Sequence, residues 1–205
     1  MTITLPRGYL SWSAMTTWES NKERFKREYF EGGKRLDTKF LRFGKSFAKS
    51  VEDGTYKKDF PDLPIYNSVE FKFEVDIDGV KILGFIDSYD TVKNLILEYK
   101  TGKHPWTKAK VQKHGQLAFY ATALEALTGT MPEYAELIWL ETKEDKSQKI
   151  GLYNGQDERI EFTGKSQVFK RKFDKREIVK MRERIKKNAI EISEAYAEFI
   201  NNLEL

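Results

Sequence analysis

The 205-residue sequence contains no cysteine and only two histidines, His104 and His114. The missing cysteines exclude disulfides, thiolate zinc sites, iron–sulphur clusters and cysteine nucleophiles. Any metal site must therefore use mainly oxygen ligands, which are those that Mg²⁺ and Mn²⁺ prefer. The two histidines are candidates for phosphate contacts or are ordinary surface residues.

Long hydrophobic runs are also missing: none approaches the roughly 20 residues of a membrane-spanning helix. The N-terminus lacks the apolar core of a signal peptide, so we expect a cytoplasmic protein with no membrane partner. With 40% hydrophobic and 33% charged residues, the composition indicates a globular chain, expected to form one domain over 1–205. A net charge of +4 is compatible with a polyanionic partner and does not establish one.

Hydrophobic residues at helical spacing predict helices at 11–31, 41–53, 109–129 and 174–203. Ser13 is the expected N-cap of the first helix, and Gly32-Gly33 the expected end. Asp174 is the expected N-cap of the last.

Alternating apolar and polar residues predict strands at 68–77, 80–87, 95–100 and 134–143. Asp78-Gly79 is typical of a two-residue hairpin turn, and Asn154-Gly155 predicts another within a hairpin at 149–162. In the first strand the alternation directs Glu70 away from the apolar face. The element order predicts an α/β fold in which helices flank a central mixed sheet with an antiparallel meander at its core.

The segment "LILEYK" places Glu98 and Lys100 on one face of a strand, about 7 Å apart. Asp87 ends the preceding antiparallel strand, within reach of Glu98. Two carboxylates beside a lysine can hold one or two divalent cations and assist phosphodiester hydrolysis, because the lysine can orient or deprotonate a water molecule and stabilise the phosphorane. From this short motif alone, a solvated hairpin edge is the more common explanation.

Gln116 and Tyr120 lie four residues apart, on one face of the third helix. Together they could contact a phosphate or orient Lys100. Separately, the glutamine could be an exposed filler and the tyrosine a half-buried core residue.

The segments "GFID", "EYK" and "GQLAFY" together resemble the PD-(D/E)xK nucleases of the RecB-like branch, which includes the CRISPR-associated exonucleases. The resemblance covers residues 10 to 140 approximately. It implies a restriction-endonuclease-like fold and a metal-dependent deoxyribonuclease activity, with exonuclease the expected form.

The same resemblance implies roles for individual residues. Asp87 and Glu98 would bind Mg²⁺ or Mn²⁺ together with the backbone carbonyl of Tyr99, and Lys100 would be the catalytic lysine. Gln116 and Tyr120 would complete the catalytic set by supporting the site and contacting DNA.

Two positions depart from the family pattern. Ala48, four residues after Gly44, stands where many relatives have a metal-binding histidine. Glu52 keeps an acidic position there, either as a further metal ligand or as a solvated helix residue. Some relatives carry a cysteine near the position of Asn21 and hold an iron–sulphur cluster, which this sequence cannot do.

Basic residues follow the third strand, and an indole lies among them. They are candidate DNA-binding residues, although a solvated loop is the simpler explanation for any one lysine: Lys103, Trp106, Lys108, Lys110 and Lys113.

The sequence therefore predicts a nuclease that acts in DNA recombination, repair or phage DNA processing in a prokaryotic or phage-infected cell. Its expected partners are DNA and a recombination or replication protein. An inactive DNA-binding or scaffold protein that keeps the nuclease fold is the alternative, and a small β-meander protein with only surface charges is a third possibility.

Overall fold

The computed structural model describes residues 2–35, 37–144 and 160–203. Its helices are α1 Trp12–Ser20, α2 Lys22–Phe25 (continued by π-helical Lys26–Phe30), α3 Lys39–Glu52, α4 Lys108–Gln112, α5 Gly115–Thr128 and α6 Lys175–Asn201, with a 3₁₀ turn at Thr55–Lys58. Its strands are β1 Ser68–Ile77, β2 Val80–Asp90, β3 Leu95–Gly102, β4 Tyr134–Glu144 and β5 Ile160–Lys172.

The five strands form one mixed sheet in the order β1-β2-β3-β4-β5. Strands β3 and β4 are parallel, and the other neighbouring pairs are antiparallel. The β1–β2 hairpin turns at Asp78-Gly79, where both residues have positive φ (53° and 84°), as a type I′ turn requires. The predicted α/β fold with a mixed sheet is confirmed.

Helices cover both faces of the sheet, and the alternation along β3 decides which side chains meet which helices. Ile96 packs in the larger core with residues of α1, α5 and α6. Leu97 and Tyr99 point to the opposite face and pack with Phe47 of α3. Glu98 and Lys100 therefore share the α5 side of the sheet.

Helix α5 lies inside the larger core, and every residue from Leu117 to Leu124 is buried. Its first residue, Gly115, is fixed by close packing: a Cβ there would lie 2.4 Å from the Trp12 ring. Trp12 is held in turn by Arg184 of α6, whose guanidinium carbon lies 5.1 Å from the indole centroid. The start of α5 is thus pinned by α1 and α6.

The predicted helix over 11–31 is two helices, and its predicted N-cap is wrong. Ser11 caps α1 by accepting a hydrogen bond from the Ala14 amide, at 3.2 Å. The chain becomes extended at Asn21 (φ −162°), whose side chain accepts from the Arg24 amide and starts α2. The short polar side chain of asparagine competes with the helix ladder in this way.

The predicted helix over 109–129 is also divided. Thr107 caps α4, and the chain leaves helical geometry at Lys113-His114 before α5 begins. Buried Arg171 of β5 donates a 2.5 Å hydrogen bond to the His114 carbonyl, so this contact from a distant strand fixes the junction.

The C-terminal part is predicted in part. Asp174 caps α6 through a 2.6 Å bond from the Arg176 amide, as expected. Strand β5 runs to Lys172, ten residues beyond the end of the predicted hairpin. The Asn154-Gly155 turn lies outside the described residues. No helix in the described ranges is long and apolar enough to cross a membrane.

Candidate active site

Strands β2 and β3 pair over only three residues, and the ladder stops at Ser88 and Leu97. Beyond that point the Tyr99 amide donates to Asp87 Oδ2 at 2.7 Å, where a backbone carbonyl would stand in a continued ladder. The Asp87 carboxylate therefore fills the gap between the two strands and is held against β3. The N–H and C=O of one strand residue point to the same side, so the Tyr99 carbonyl also faces this gap.

A chain of three hydrogen bonds runs from β3 to α5. Lys100 Nζ donates to Glu98 Oε1 at 2.5 Å and to Gln116 Oε1 at 3.0 Å. Gln116 Nε2 then donates to the Tyr120 hydroxyl at 2.6 Å. The structure thus brings together the lysine, one carboxylate and both predicted helix residues.

The charged groups of this site are buried and act on one another. Glu98 is 1% exposed, and its Oε2 has no hydrogen-bond partner among the described residues. Burial, and then the charge of Glu98, raise the pKa of Asp87 well above its usual value, although Lys100 and the Tyr99 amide oppose this. Burial lowers the pKa of Lys100, but Glu98 and Asp87 outweigh it, so the net pKa is raised.

Tyr120 remains a neutral phenol at this site. Burial, followed by the charges of Glu98 and Asp87, raises the pKa of its hydroxyl well above 10. Because Gln116 accepts from Lys100 and donates to Tyr120, both ends of its amide are engaged and its orientation is fixed.

The donor set fits a hard divalent cation. Asp87, Glu98 and the Tyr99 carbonyl offer only oxygen, and the buried, unpartnered Glu98 Oε2 calls for a positive partner. The part of the chain that the structure describes contains no group of three or more histidine, aspartate or glutamate side chains already gathered for metal binding. The two carboxylates and the carbonyl form the core of the candidate metal site because of their oxygen chemistry and the unpartnered Glu98 Oε2.

The predicted second-helix positions lie on α3, which packs against the face of the sheet opposite to α5. Glu52 is the exposed last residue of α3, and Ala48 is half-buried one turn before it. The charge of Glu52 acts on the carboxyl group of Glu70 in β1, whose pKa is raised first by burial, then by Glu52 and Glu98. The sequence alternation directed Glu70 away from the apolar face, but it is half-buried with a φ of 48°. No sequence signal marks that conformation.

The predicted DNA-binding residues lie on the connection that follows β3. Lys103, Lys108, Lys110 and Lys113 are exposed there. Trp106 is half-buried: Lys110 Nζ lies 4.0 Å from its ring centroid, and the His114 ring meets it at 4.9 Å. One face of the indole is therefore already covered by a cation.

The two histidines differ in environment. His104 is exposed. Burial, and then the charges of Lys100, Arg171 and Lys110, lower the pKa of His114 to about 3, so its imidazole is neutral. The buried Arg171, which sequence analysis did not identify, thus influences both the backbone and the charge at the start of α5.

The fold thus places two carboxylates and a lysine where two strands of a mixed sheet separate. The chain belongs to the PD-(D/E)XK nuclease superfamily, whose family model matches residues 52–202. That range includes Glu52, Asp87, Glu98, Lys100 and the whole of α5. No curated protein matches the sequence.

Several solved structures share the fold. A protein from Eubacterium rectale assigned as an exonuclease superposes with a TM-score of 0.58 at 14% identity, over 94% of this chain and 82% of its own. A phage-related exonuclease from Haemophilus somnus 129PT gives 0.54 at 15% identity, over 96% and 86%. The alkaline exonuclease LHK-Exo from Laribacter hongkongensis gives 0.51 at 10% identity, over 96% and 94%, and has also been solved in complex with dAMP.

Proposed function

We propose that this protein is a deoxyribonuclease that requires Mg²⁺ or Mn²⁺ and digests DNA as an exonuclease. The observation that carries the proposal is the hydrogen-bonded chain of Glu98, Lys100, Gln116 and Tyr120, with the Asp87 carboxylate held by the Tyr99 amide where β2 and β3 separate. The structural relatives that are exonucleases support this activity, and the dAMP complex of one of them supports DNA as the substrate class.

Asp87, Glu98 and the Tyr99 carbonyl would hold the cation, with Glu52 as a further candidate ligand. When bound, a divalent cation there supplies Lewis-acid polarisation of the phosphate and activation of the attacking water. In the metal-free protein the pKa of Asp87 is raised first by burial and then by the repulsion between its carboxylate and that of Glu98. A bound cation would offset that repulsion.

Lys100 remains free to act on the substrate. Its ammonium group has three N–H donors, of which Glu98 and Gln116 accept two. The third can donate to a phosphate oxygen or to the attacking water. The ammonium group, which pairs with Glu98, can stabilise the negative charge that develops on the phosphorane.

Gln116 and Tyr120 position this lysine from α5. The buried hydroxyl of Tyr120 holds the Gln116 amide, and the Gln116 carbonyl oxygen then fixes the direction of the Lys100 ammonium. The exposed lysines after β3 would follow the DNA backbone. A role in recombination, repair or phage DNA processing, together with a recombination or replication partner, fits such an enzyme.

The test is cleavage of end-labelled single- and double-stranded DNA with Mg²⁺, Mn²⁺ or EDTA. We expect cleavage only with a cation, and a loss of at least about 100-fold in Lys100→Met, since electrostatic stabilisers of a transition state contribute on that scale. Lys72→Met, at an exposed lysine of β1, is the matched control.

Equal cleavage by the two lysine variants would refute the role of Lys100. Cutting of closed circular DNA at the rate of linear DNA would contradict the exonuclease form. DNA binding without any cleavage by the wild-type protein would instead favour the inactive scaffold.

A further inference from the structure

Glu70 of β1 lies opposite Asp87 of the neighbouring strand β2. The β1–β2 register pairs Val69 with Ser88 and Phe71 with Ile86, which leaves Glu70 and Asp87 facing each other between these pairs. At this point the side chains of both strands switch from one face of the sheet to the other. In β1, Val69 packs in the smaller core on the α3 side, whereas Phe71 packs in the larger core on the α5 side.

The backbone of Glu70 makes this change of face possible. Its φ of 48° is in the left-handed region, which is uncommon for a residue other than glycine, asparagine or aspartate. This conformation gives Glu70 a direction that regular alternation along β1 would not give it. The residue is half-buried and lies opposite Asp87 of the candidate metal site.

The carboxylate of Glu70 has no partner in the part of the chain that the structure describes. Among the described residues it makes no hydrogen bond or ion pair, whereas Glu74, four residues further along β1, pairs with Lys81 at 3.4 Å. The groups that act on the carboxyl of Glu70 are the negatively charged Glu52 and Glu98, and Glu70 acts on Asp87 in turn.

The charges around the gap are strongly unbalanced. Four carboxylates, those of Glu52, Glu70, Asp87 and Glu98, influence one another there, and Lys100 is the cation that acts on Asp87. Glu98 acts on both Glu70 and Asp87, and its Oε2 is buried without a hydrogen-bond partner among the described residues. An excess of negative charge around a buried, unpartnered oxygen is the environment that a divalent cation stabilises.

We propose that Glu70 is a third carboxylate of the divalent-cation site, which contacts Mg²⁺ or Mn²⁺ directly or through a bound water from the β1 side. The proposal rests on the proposed metal-dependent function. The carboxylates need not be gathered before the cation arrives, because a half-buried side chain without partners can turn toward it.

The test is the binding of Mn²⁺ without DNA. It is measured by isothermal titration calorimetry and by the electron paramagnetic resonance signal of free Mn²⁺. We expect Glu70→Gln to raise the Kd for Mn²⁺ about 10-fold or more, which is the scale for loss of a group that supports a metal site. Glu74→Gln is the matched control, and it should bind Mn²⁺ like the wild type.

Thermal unfolding in EDTA separates a ligand from a structural residue. Glu70→Gln removes a charge that burial, and then Glu52 and Glu98, disfavour, so its Tm without metal should equal or exceed that of the wild type. Its Mn²⁺-induced rise in Tm should be smaller than that of Glu74→Gln. Should Glu70→Gln fold poorly, Glu70→Asn tolerates positive φ better and gives the same comparison.

An equal Kd for Glu70→Gln and Glu74→Gln, or a lower Tm of Glu70→Gln without metal, would overturn the proposal. The Asp87→Asn variant distinguishes a wrong role for Glu70 from a wrong proposed function. Loss of Mn²⁺ binding in Asp87→Asn, with normal binding in Glu70→Gln, refutes only the role of Glu70. Normal binding in Asp87→Asn refutes the metal centre itself.

Discussion

Asp87→Asn should stabilise the protein in EDTA while it abolishes the proposed cation binding and DNA cleavage. The amide oxygen of asparagine can still accept the hydrogen bond from the Tyr99 N–H, and the side-chain volume hardly changes. What disappears is a negative charge that burial and Glu98 disfavour, as the raised pKa of Asp87 shows. Removal of that charge therefore favours the folded state.

The size of this stabilisation and the pH range in which it is seen follow from the linkage between protonation and folding. Each unit by which folding raises a carboxyl pKa costs about 1.4 kcal/mol once the group is ionised. We expect a net gain of about 1–3 kcal/mol near pH 7, the scale of one poorly compensated buried polar group. For a chain of this length, that gain raises Tm by roughly 2–4 °C per kcal/mol.

The sign of the pH effect is fixed by the direction of the shift. A raised carboxyl pKa means that the folded state binds the proton more tightly than the unfolded state does. The wild type should therefore lose stability as pH rises from about 4 through the folded pKa of Asp87. The difference between Asp87→Asn and the wild type should be small at pH 4 and grow toward neutral pH.

The assay is thermal denaturation followed by circular dichroism between pH 4 and pH 8 in EDTA. Asp62→Asn makes the same chemical change at an exposed aspartate and serves as the control. A lower Tm of Asp87→Asn than of Asp62→Asn at pH 7, or a difference that does not change with pH, would refute the reasoning.

Two further predictions concern packing and positioning. Gly84→Ala should lower the free energy of unfolding by about 1–3 kcal/mol, because the new Cβ would lie 2.4 Å from the Phe73 ring. Gly102→Ala, whose new Cβ would have nothing within 4 Å, should leave that free energy unchanged, and equal midpoints of the two variants in urea unfolding would contradict this. Tyr120→Phe leaves the Gln116 Nε2 without its hydrogen-bond acceptor. We therefore expect kcat for DNA cleavage to fall roughly 10-fold, while the Kd for Mn²⁺ stays unchanged. An unaltered kcat would show that the orientation of Gln116 is unimportant.

Local patterns were sufficient for the regular parts of the fold. Alternation placed Leu97 and Tyr99 on one face of β3 and Glu98 with Lys100 on the other, and the cores follow this division. The helical spacing of Gln116 and Tyr120 likewise brought them to one side of α5. These features depend on the period of a strand or a helix, which neighbouring residues alone determine.

The breaks in the elements depend on contacts that a local pattern does not contain. The junction between α4 and α5 is fixed by Arg171, 57 residues from the His114 carbonyl that it binds. Strand β5 is stabilised by pairing with β4, although its segment 163–172 alternates too weakly to predict a strand. The direction of Glu70 depends on one positive φ opposite Asp87.

The interruption between β2 and β3 has a consequence for the integrity of the sheet. One carboxylate, that of Asp87, serves as the acceptor for the Tyr99 amide and is also the first candidate ligand for a cation. A side chain that could not accept this bond would leave a backbone donor unsatisfied at the centre of the sheet. The proposed catalytic role and the local β-structure therefore constrain the same position, so only a side chain that keeps this acceptor, such as asparagine, could alter the one without disturbing the other.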